Sequence, residues 1–191
     1  MIQLGYWVVS YLVGTILTAW FVGKWKGVDL RQHESGNLGA RNAGTVLGKD
    51  AFLVTFLGDA GKGALIIGLG HWLNLSLIEI AIGGILAVIG HLFPIWLKGR
   101  GGKGIATFIG VTLAFHPLAF LAVVVVFLVL FAILRSATLA MNGAYPAYAL
   151  ALFFLKNDIF SYLFLILVVL ILWRHRFDTK ESWDARWWRS Q

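Results

Sequence analysis

The sequence predicts an all-α integral membrane protein of seven transmembrane helices, with its N-terminus outside and its C-terminus in the cytoplasm. Three observations lead there. Of 191 residues, 59% are hydrophobic and only 13% charged, and the mean hydropathy is +0.81, far above that of a soluble domain. Several apolar runs reach the roughly 20 residues that a helix needs to cross a bilayer. Lys and Arg residues fall almost wholly on one side once a single ambiguous segment is folded twice across the membrane.

Residues 2–23 form the first run, with Tyr6, Trp7 and Trp20 suited to the two interfaces. It has neither a basic leading region nor a small-residue cleavage site, so it reads as a retained helix and not a signal peptide. Residues 24–50 are polar and carry five cations, enough chain to hold a site. Residues 51–69 make a second span, interrupted by Asp59 and Lys62. These two lie on one helical face and can pair, which lowers the penalty for ions in lipid. Residues 75–97 make a third span, with Glu79 near its start and His91 near its end.

Residues 105–134 are too many for one simple span, and His116-Pro117 lies inside them. Residues 105–115 would give about 16 Å of helix, roughly half the hydrocarbon core. Residues 118–134 have ordinary length. Two further spans, 137–155 and 159–173, precede a basic, tryptophan-rich tail. No internal repeat or low-complexity linker interrupts the chain, so residues 1–191 read as one domain.

Charge placement chooses the topology. If 105–134 crosses twice, Lys24, Lys26, Arg31, Arg41 and Lys49 share a side with Lys98, Arg100, Lys103 and Arg135. Arg174, Arg176, Lys180, Arg186 and Arg189 in the tail join them. Of the 16 cations only Lys62, within a span, and Lys156, opposite, are excepted. The positive-inside tendency then puts this face in the cytoplasm. The net charge of +7 follows from that orientation, and no nucleic-acid partner is expected. Cysteine is absent, which excludes disulfides and thiolate chemistry. Asp29, Glu34 and Asp50 are too few and scattered for a metal site, so no metal is expected.

The same topology gathers three polar segments on the cytoplasmic face: 24–50, 98–104 and the tail from Arg174. The first contains Ser35-Gly36-Asn37-Leu38-Gly39-Ala40-Arg41-Asn42, small donors and glycines flanked by cations, which suits an anionic group and equally suits an ordinary turn. The second follows His91 and reads Lys98-Gly99-Arg100-Gly101-Gly102-Lys103-Gly104. Its glycines would let backbone amides approach a phosphate while the cations supply charge. A helix starting at Ile105 would open its N-terminus onto Gly104, where the helix dipole favours an anion.

The order of these residues resembles the bacterial acyl-phosphate:glycerol-3-phosphate acyltransferase family (PlsY). The matching pieces are Gly-Val-Asp-Leu-Arg at 27–31, then Ser35-Gly36-Asn37, Gly39 and Asn42. Next come Asp59, Lys62 and Gly63, then Gly-His-x-Phe-Pro around His91 with Pro94, and Gly101-Gly102-Lys103-Gly104 followed by Thr107. A His175-Arg176 pair follows the last span, and the similarity covers nearly the whole chain. The resemblance implies a seven-span membrane enzyme with its N-terminus outside. It would transfer a fatty acyl group from acyl phosphate to glycerol 3-phosphate, giving lysophosphatidic acid and phosphate. Neither acyl-CoA nor acyl carrier protein would be used directly. No cofactor and no obligatory protein partner are implied, and the lipid bilayer of the cell (plasma or inner) membrane is the setting.

Carried over by motif, Ser35, Asn37 and His91 would lie near the acyl carbonyl or the attacking hydroxyl. Phosphate would be bound by Lys103 with the amides of Gly101, Gly102 and Gly104, helped by Arg41, Arg100 or Arg176. Gly36, Gly39, Asn42, Thr138, His175 and Asp178 complete the expected substrate site. His91 is either a general base or a helix-terminal histidine that only donates or accepts a hydrogen bond. An acyl phosphate is already activated, so positioning and charge stabilisation can suffice without a strong base.

The chain departs from the family pattern at several places. Arg41 stands where the family has Thr, and Thr45 where it has Arg. Arg100 replaces Lys, Gly99 a bulky aromatic, and Thr138 a Ser. After Arg176 the chain reads Phe177-Asp178-Thr179 in place of Glu-Asn-Ile, so Asp178 removes an amide donor and adds negative charge. A second reading is therefore a divergent member that acylates another phosphorylated alcohol or is inactive. A small anion transporter is a third, opposed by the lack of an inverted repeat and by cations that lie on one face, not along a path.

Overall fold

The computed structural model describes residues 1–156 and 159–185. Arg186 and Arg189 lie outside the described residues, as does the side chain of Lys156. The regular structure of the described residues is helical, with no strand, and the fold is that of an all-α integral membrane protein. Six stretches are long and apolar enough to cross a membrane, and Ile105–Phe115 is a shorter apolar helix. The chain divides into two compact units, Met1–Phe115 and His116–Gln191.

In the first unit the expected span 2–23 is two helices, α1 (Ile2–Gly14) and α2 (Thr18–Trp25). The break is local chemistry. Thr15 turns its hydroxyl back onto Leu12 O at 2.6 Å, and Leu17 is extended, which ends one helix and starts the next. The polar stretch is also more ordered than a loop, for it holds a short 3-10 turn at Leu30–Gln32 and helix α3 (Ala40–Leu47). Gly48, at φ +93°, reverses the chain into α4 (Lys49–Trp72), longer at both ends than the expected span.

Helix α5 (Leu77–Leu92) starts at a capping box in which Glu79 Oε2 accepts from Ser76 N and Oγ, both at 2.8 Å. After a 3-10 turn at Ile95–Leu97 and the glycine-rich segment comes α6 (Ile105–Phe115), the short helix that the sequence predicts. Small residues let these helices meet backbone to backbone. A Cβ on Gly14 or Gly90 would fall on the carbonyl of Ala87 or Tyr11, across the α1–α5 contact. A Cβ on Gly110 would fall on Ala60 O, across the α4–α6 contact.

The second unit holds α7 (Pro117–Leu134), α8 (Ala137–Lys156) and α9 (Ile159–Asp184). Pro117 opens α7 at a position where no amide is needed, and His116 Nδ1 caps it by accepting from Ala119 N at 3.2 Å. The final helix does not stop at Trp173 as expected. It runs unbroken to Asp184, so Arg174, His175 and Arg176 sit on a helix and not in a tail. The core of this unit includes Tyr145, Tyr148, Leu152, Phe164, Leu167 and Ile171, all buried.

Candidate active site

Within the first unit, residues 29–47 fold as a braced hairpin of turn and helix. Asp29 caps the 3-10 turn by accepting from Arg31 N at 3.1 Å, and its carboxylate takes Arg31 Nη2 at 2.7 Å. These bonds from Arg31 pull the Asp29 carboxyl down to about 2. Asn42 is buried and uses both ends of its amide: Nδ2 donates to Leu30 O at 3.0 Å, while Oδ1 accepts from Ser35 Oγ at 3.1 Å and Ser35 N at 3.2 Å. It therefore holds the exposed Ser35 in place from beneath. Gly36 is at φ +64°, with its α-carbon close to Arg31 O, where a side chain would be strained and crowded. Leu38, fully buried beside Leu17, Ala43 and Leu30, anchors the hairpin to α2.

The segment after α5 returns against its own helix. Gly101 N donates to Leu92 O at 3.2 Å and Gly102 N to His91 O at 3.1 Å. This corrects the expectation that both amides face a phosphate, because they close the exposed carbonyls at the end of α5. Their lack of side chains serves a different end. A Cβ on Gly102 would collide with His91 Nε2 and with Leu38 O, and one on Gly101 with His91 O and Pro94. Gly102 is thus the point where the 35–42 hairpin, the glycine-rich segment and His91 converge. Gly104, at φ +83°, turns the chain into α6. Thr107 in the first turn of α6 is fully buried, and its hydroxyl has no hydrogen-bond partner. Lys103 is half-buried beside this helix start, and Arg100 is exposed.

Beneath Gly102 lies a buried charged cluster. Lys62 Nζ donates to Asp59 Oδ1 at 2.9 Å and to Ile16 O at 2.6 Å, and it lies 2.9 Å from His91 Nδ1. Asp59 Oδ1 also accepts from Thr18 Oγ1 at 3.1 Å. The pairing anticipated for Asp59 and Lys62 is present, and it does more than neutralise charge. Each ion meets one side of the break in the first span, Asp59 the start of α2 and Lys62 the freed carbonyl of Ile16. Trp96 Nε1 takes the other freed carbonyl, Thr15 O, at 3.1 Å. The contact of Lys62 with His91 is the feature that sequence reasoning missed. Its signal was present: a lysine and a histidine, each inside an apolar run, both needing a polar partner.

Arg41 and Thr45 lie one turn apart on α3 and line a shallow groove with Gly44, Lys49 and Phe52. In the second unit, α9 packs on α8 through Asn142 Nδ2, which donates to Thr179 Oγ1 at 2.6 Å, while Thr179 Oγ1 donates to His175 O at 2.8 Å. His175 is buried, with Nδ1 on Ile171 O at 2.9 Å and its ring near Tyr145. Thr138 and Asp178 are half-buried in the same unit. Arg176 lays its guanidinium over the Trp173 and Phe177 rings and donates to Trp173 O at 2.8 Å. No group of three metal-ligating side chains occurs among the described residues.

Comparison with known proteins returns one answer at every level. The family described as glycerol-3-phosphate acyltransferase matches residues 4–185. Glycerol-3-phosphate acyltransferase 1 of Bacillus cereus is 47% identical over 137 residues, 71% of this chain and 75% of that one. The glycerol-3-phosphate acyltransferase of Pseudomonas paraeruginosa is 38% identical over 180 residues, 94% of this chain and 95% of its own. Among solved structures, PlsY (YgiH), an integral membrane glycerol 3-phosphate acyltransferase in its glycerol 3-phosphate form, superposes with a TM-score of 0.89. It is 31% identical, covering 97% of this chain and 94% of that one.

Proposed function

This chain belongs to the glycerol-3-phosphate acyltransferase family, and from that premise we propose that it transfers a fatty acyl group from acyl phosphate to glycerol 3-phosphate. The observation that carries the reading is the meeting at Gly102, where a Cβ would run into both His91 Nε2 and Leu38 O. It brings together two segments far apart in sequence, one rich in small donors and the other in cations. That is what a reaction between two phosphate-bearing substrates requires.

The roles follow from the chemistry. Lys103 and the first amides of α6 receive a phosphate, where the positive end of the helix dipole favours an anion. The buried, unpartnered Thr107 hydroxyl supports a ligand oxygen at that place. Ser35 and Asn37 face the acyl carbonyl or the attacking hydroxyl, with Asn42 and Gly39 holding their hairpin. In the first unit Arg41 and Arg100 supply further charge; in the second, His175 and Arg176 are the third motif, and Thr138 and Asp178 are further substrate-binding residues. In the reaction the glycerol hydroxyl oxygen bonds to the acyl carbon. The acyl–phosphate C–O bond breaks with its electron pair on phosphate, and the departing phosphate takes up the hydroxyl proton. The donor is already activated, so alignment and charge stabilisation carry the rate, and no cofactor takes part.

The protein is an integral membrane acyltransferase that works as one functional domain without an obligatory partner. It crosses the cell membrane seven times, with Ile105–Phe115 as the short span, its N-terminus outside and its site at the cytoplasmic face. The acyl chain arrives sideways from the lipid. Assay of the purified protein with glycerol 3-phosphate and either acyl phosphate or acyl-CoA tests the reading. Lysophosphatidic acid should form from acyl phosphate alone. Product from acyl-CoA, or none from acyl phosphate, would sink it. Because the chain has no cysteine, a single one introduced near Met1 reports topology cleanly, and it should react with an impermeant thiol reagent from outside.

A further inference from the structure

The cluster beneath Gly102 has a consequence for how His91 takes part. A lysine ammonium carries three protons and no acceptor. Lys62 has three polar neighbours within bonding distance: Ile16 O at 2.6 Å, Asp59 Oδ1 at 2.9 Å and His91 Nδ1 at 2.9 Å. Two of these are oxygens that can only accept. The third must accept as well if the lysine is charged. Asp59 Oδ1 at 2.9 Å makes an ion pair with Lys62, and an ion pair requires the ammonium form. Nδ1 of His91 is then the acceptor, and the ring proton sits on Nε2. That nitrogen is the atom that abuts Gly102, at the junction of the two substrate-binding segments.

We infer that Asp59 and Lys62 are positioning residues for acyl transfer, holding His91 in the Nε2–H tautomer so that it presents a hydrogen-bond donor, not a base, at the Gly102 junction. The inference deepens the proposed function and rests on it for the reaction being positioned. Asp59 fixes Lys62, and Lys62 fixes the ring. Both ions also grip the break between α1 and α2 through Ile16 O and Thr18. The break thus gives the lysine its third partner and keeps its head group from turning. A donor at this place can steady negative charge on the acyl oxygen or on a phosphate oxygen as the bond changes occur. This resolves the choice that the sequence leaves open for His91.

The test uses full-length protein labelled with ¹⁵N-histidine in lipid nanodiscs. Five histidines are present, and His91 is assigned by the signal that His91→Gln removes. Wild type should show unprotonated Nδ1 and protonated Nε2 at His91. A protonated Nδ1 would overturn the inference, and this readout, made on the wild-type protein once His91 is assigned, needs no turnover. The double variant Asp59→Asn/Lys62→Met removes both charges together and leaves no lone buried ion. It should release the tautomer and lower kcat by at least about tenfold, with KM for glycerol 3-phosphate near wild type. Unchanged kcat, a loss carried by KM alone, or a tautomer unaffected by the double variant would each overturn it. Failure of wild type to acylate glycerol 3-phosphate would instead reject the proposed function, and the tautomer spectrum tells the two failures apart.

Discussion

Thr45 stands one helical turn after Arg41 on α3, with its hydroxyl donating to Arg41 O at 3.1 Å, and both residues line the same groove. The exchange of cation and threonine relative to the family pattern therefore stays on one face, because four residues in a helix make about one turn. Arg41→Thr should lower kcat/KM for glycerol 3-phosphate by about tenfold or more, the scale of a lost hydrogen bond to a charged group. Arg41→Thr/Thr45→Arg should recover most of it. A double variant no better than the single one would show that the two positions are not equivalent.

Gly102 tolerates no side chain. Its Cβ would meet a backbone carbonyl, Leu38 O, which cannot move aside without shifting the 35–42 hairpin, as well as His91 Nε2. Gly102→Ala is expected to cost about 1–3 kcal/mol of stability and to abolish most activity. Gly99→Ala is the control. It has open space around it but lies at φ +74°, so it should lose a little stability and keep its activity. Thermal unfolding in detergent, read beside the acyl transfer rate, separates the two. Equal effects would remove Gly102 from the junction.

Lys103→Ala tests the phosphate assignment. Removing a preorganised charge beside the start of α6 should reduce kcat/KM by roughly 10²-fold while leaving expression and unfolding temperature near wild type. Normal activity would take this lysine out of the site.

Asp29 offers a pH prediction outside the membrane. Its folded value of about 2 lies below the ordinary carboxylate range near 3.9, so the Asp29–Arg31 bridge contributes fully above about pH 4 and is lost as pH falls through about 2. Both side chains are substantially exposed, which keeps the effect small. Protection of the Arg31 amide, taken as the intrinsic exchange rate at each pH divided by the observed one, should be steady from neutral pH to about 4 and then fall, and Asp29→Asn should show the lower protection at every pH. Protection that falls already between pH 7 and 5 would point to another titrating group.

Most of the helical plan can be read from apolar run length, and the reason is the bilayer. A spanning segment must satisfy its own backbone polar groups, so length and hydropathy nearly decide helix existence. The short Ile105–Phe115 helix and its break at His116-Pro117 were legible on these grounds, as was the pairing of Asp59 with Lys62. The break at Thr15–Leu17 was not. Those residues are as apolar as their neighbours, and only the distant Lys62, Asp59 and Trp96 make an interrupted backbone tolerable there. Helix α3 and the extension of α9 past Trp173 were hidden for the converse reason. Both are polar enough to read as loops, and packing holds them helical.

Composition, run length and the order of the glycine, serine and lysine motifs decide the class of this protein and its family, because those properties depend on residues near one another in the chain. The fold decides what the motif residues do. Gly101 and Gly102 carry amides that look free in sequence and are spent on α5 carbonyls. Asn42 looks like a ligand-binding amide and is a brace for Ser35. His91 looks like a lone helix-terminal histidine, and Lys62, 29 positions away, lies 2.9 Å from its Nδ1. A proton's location depends on which groups lie within hydrogen-bond reach, and that distance exists only once the helices have packed.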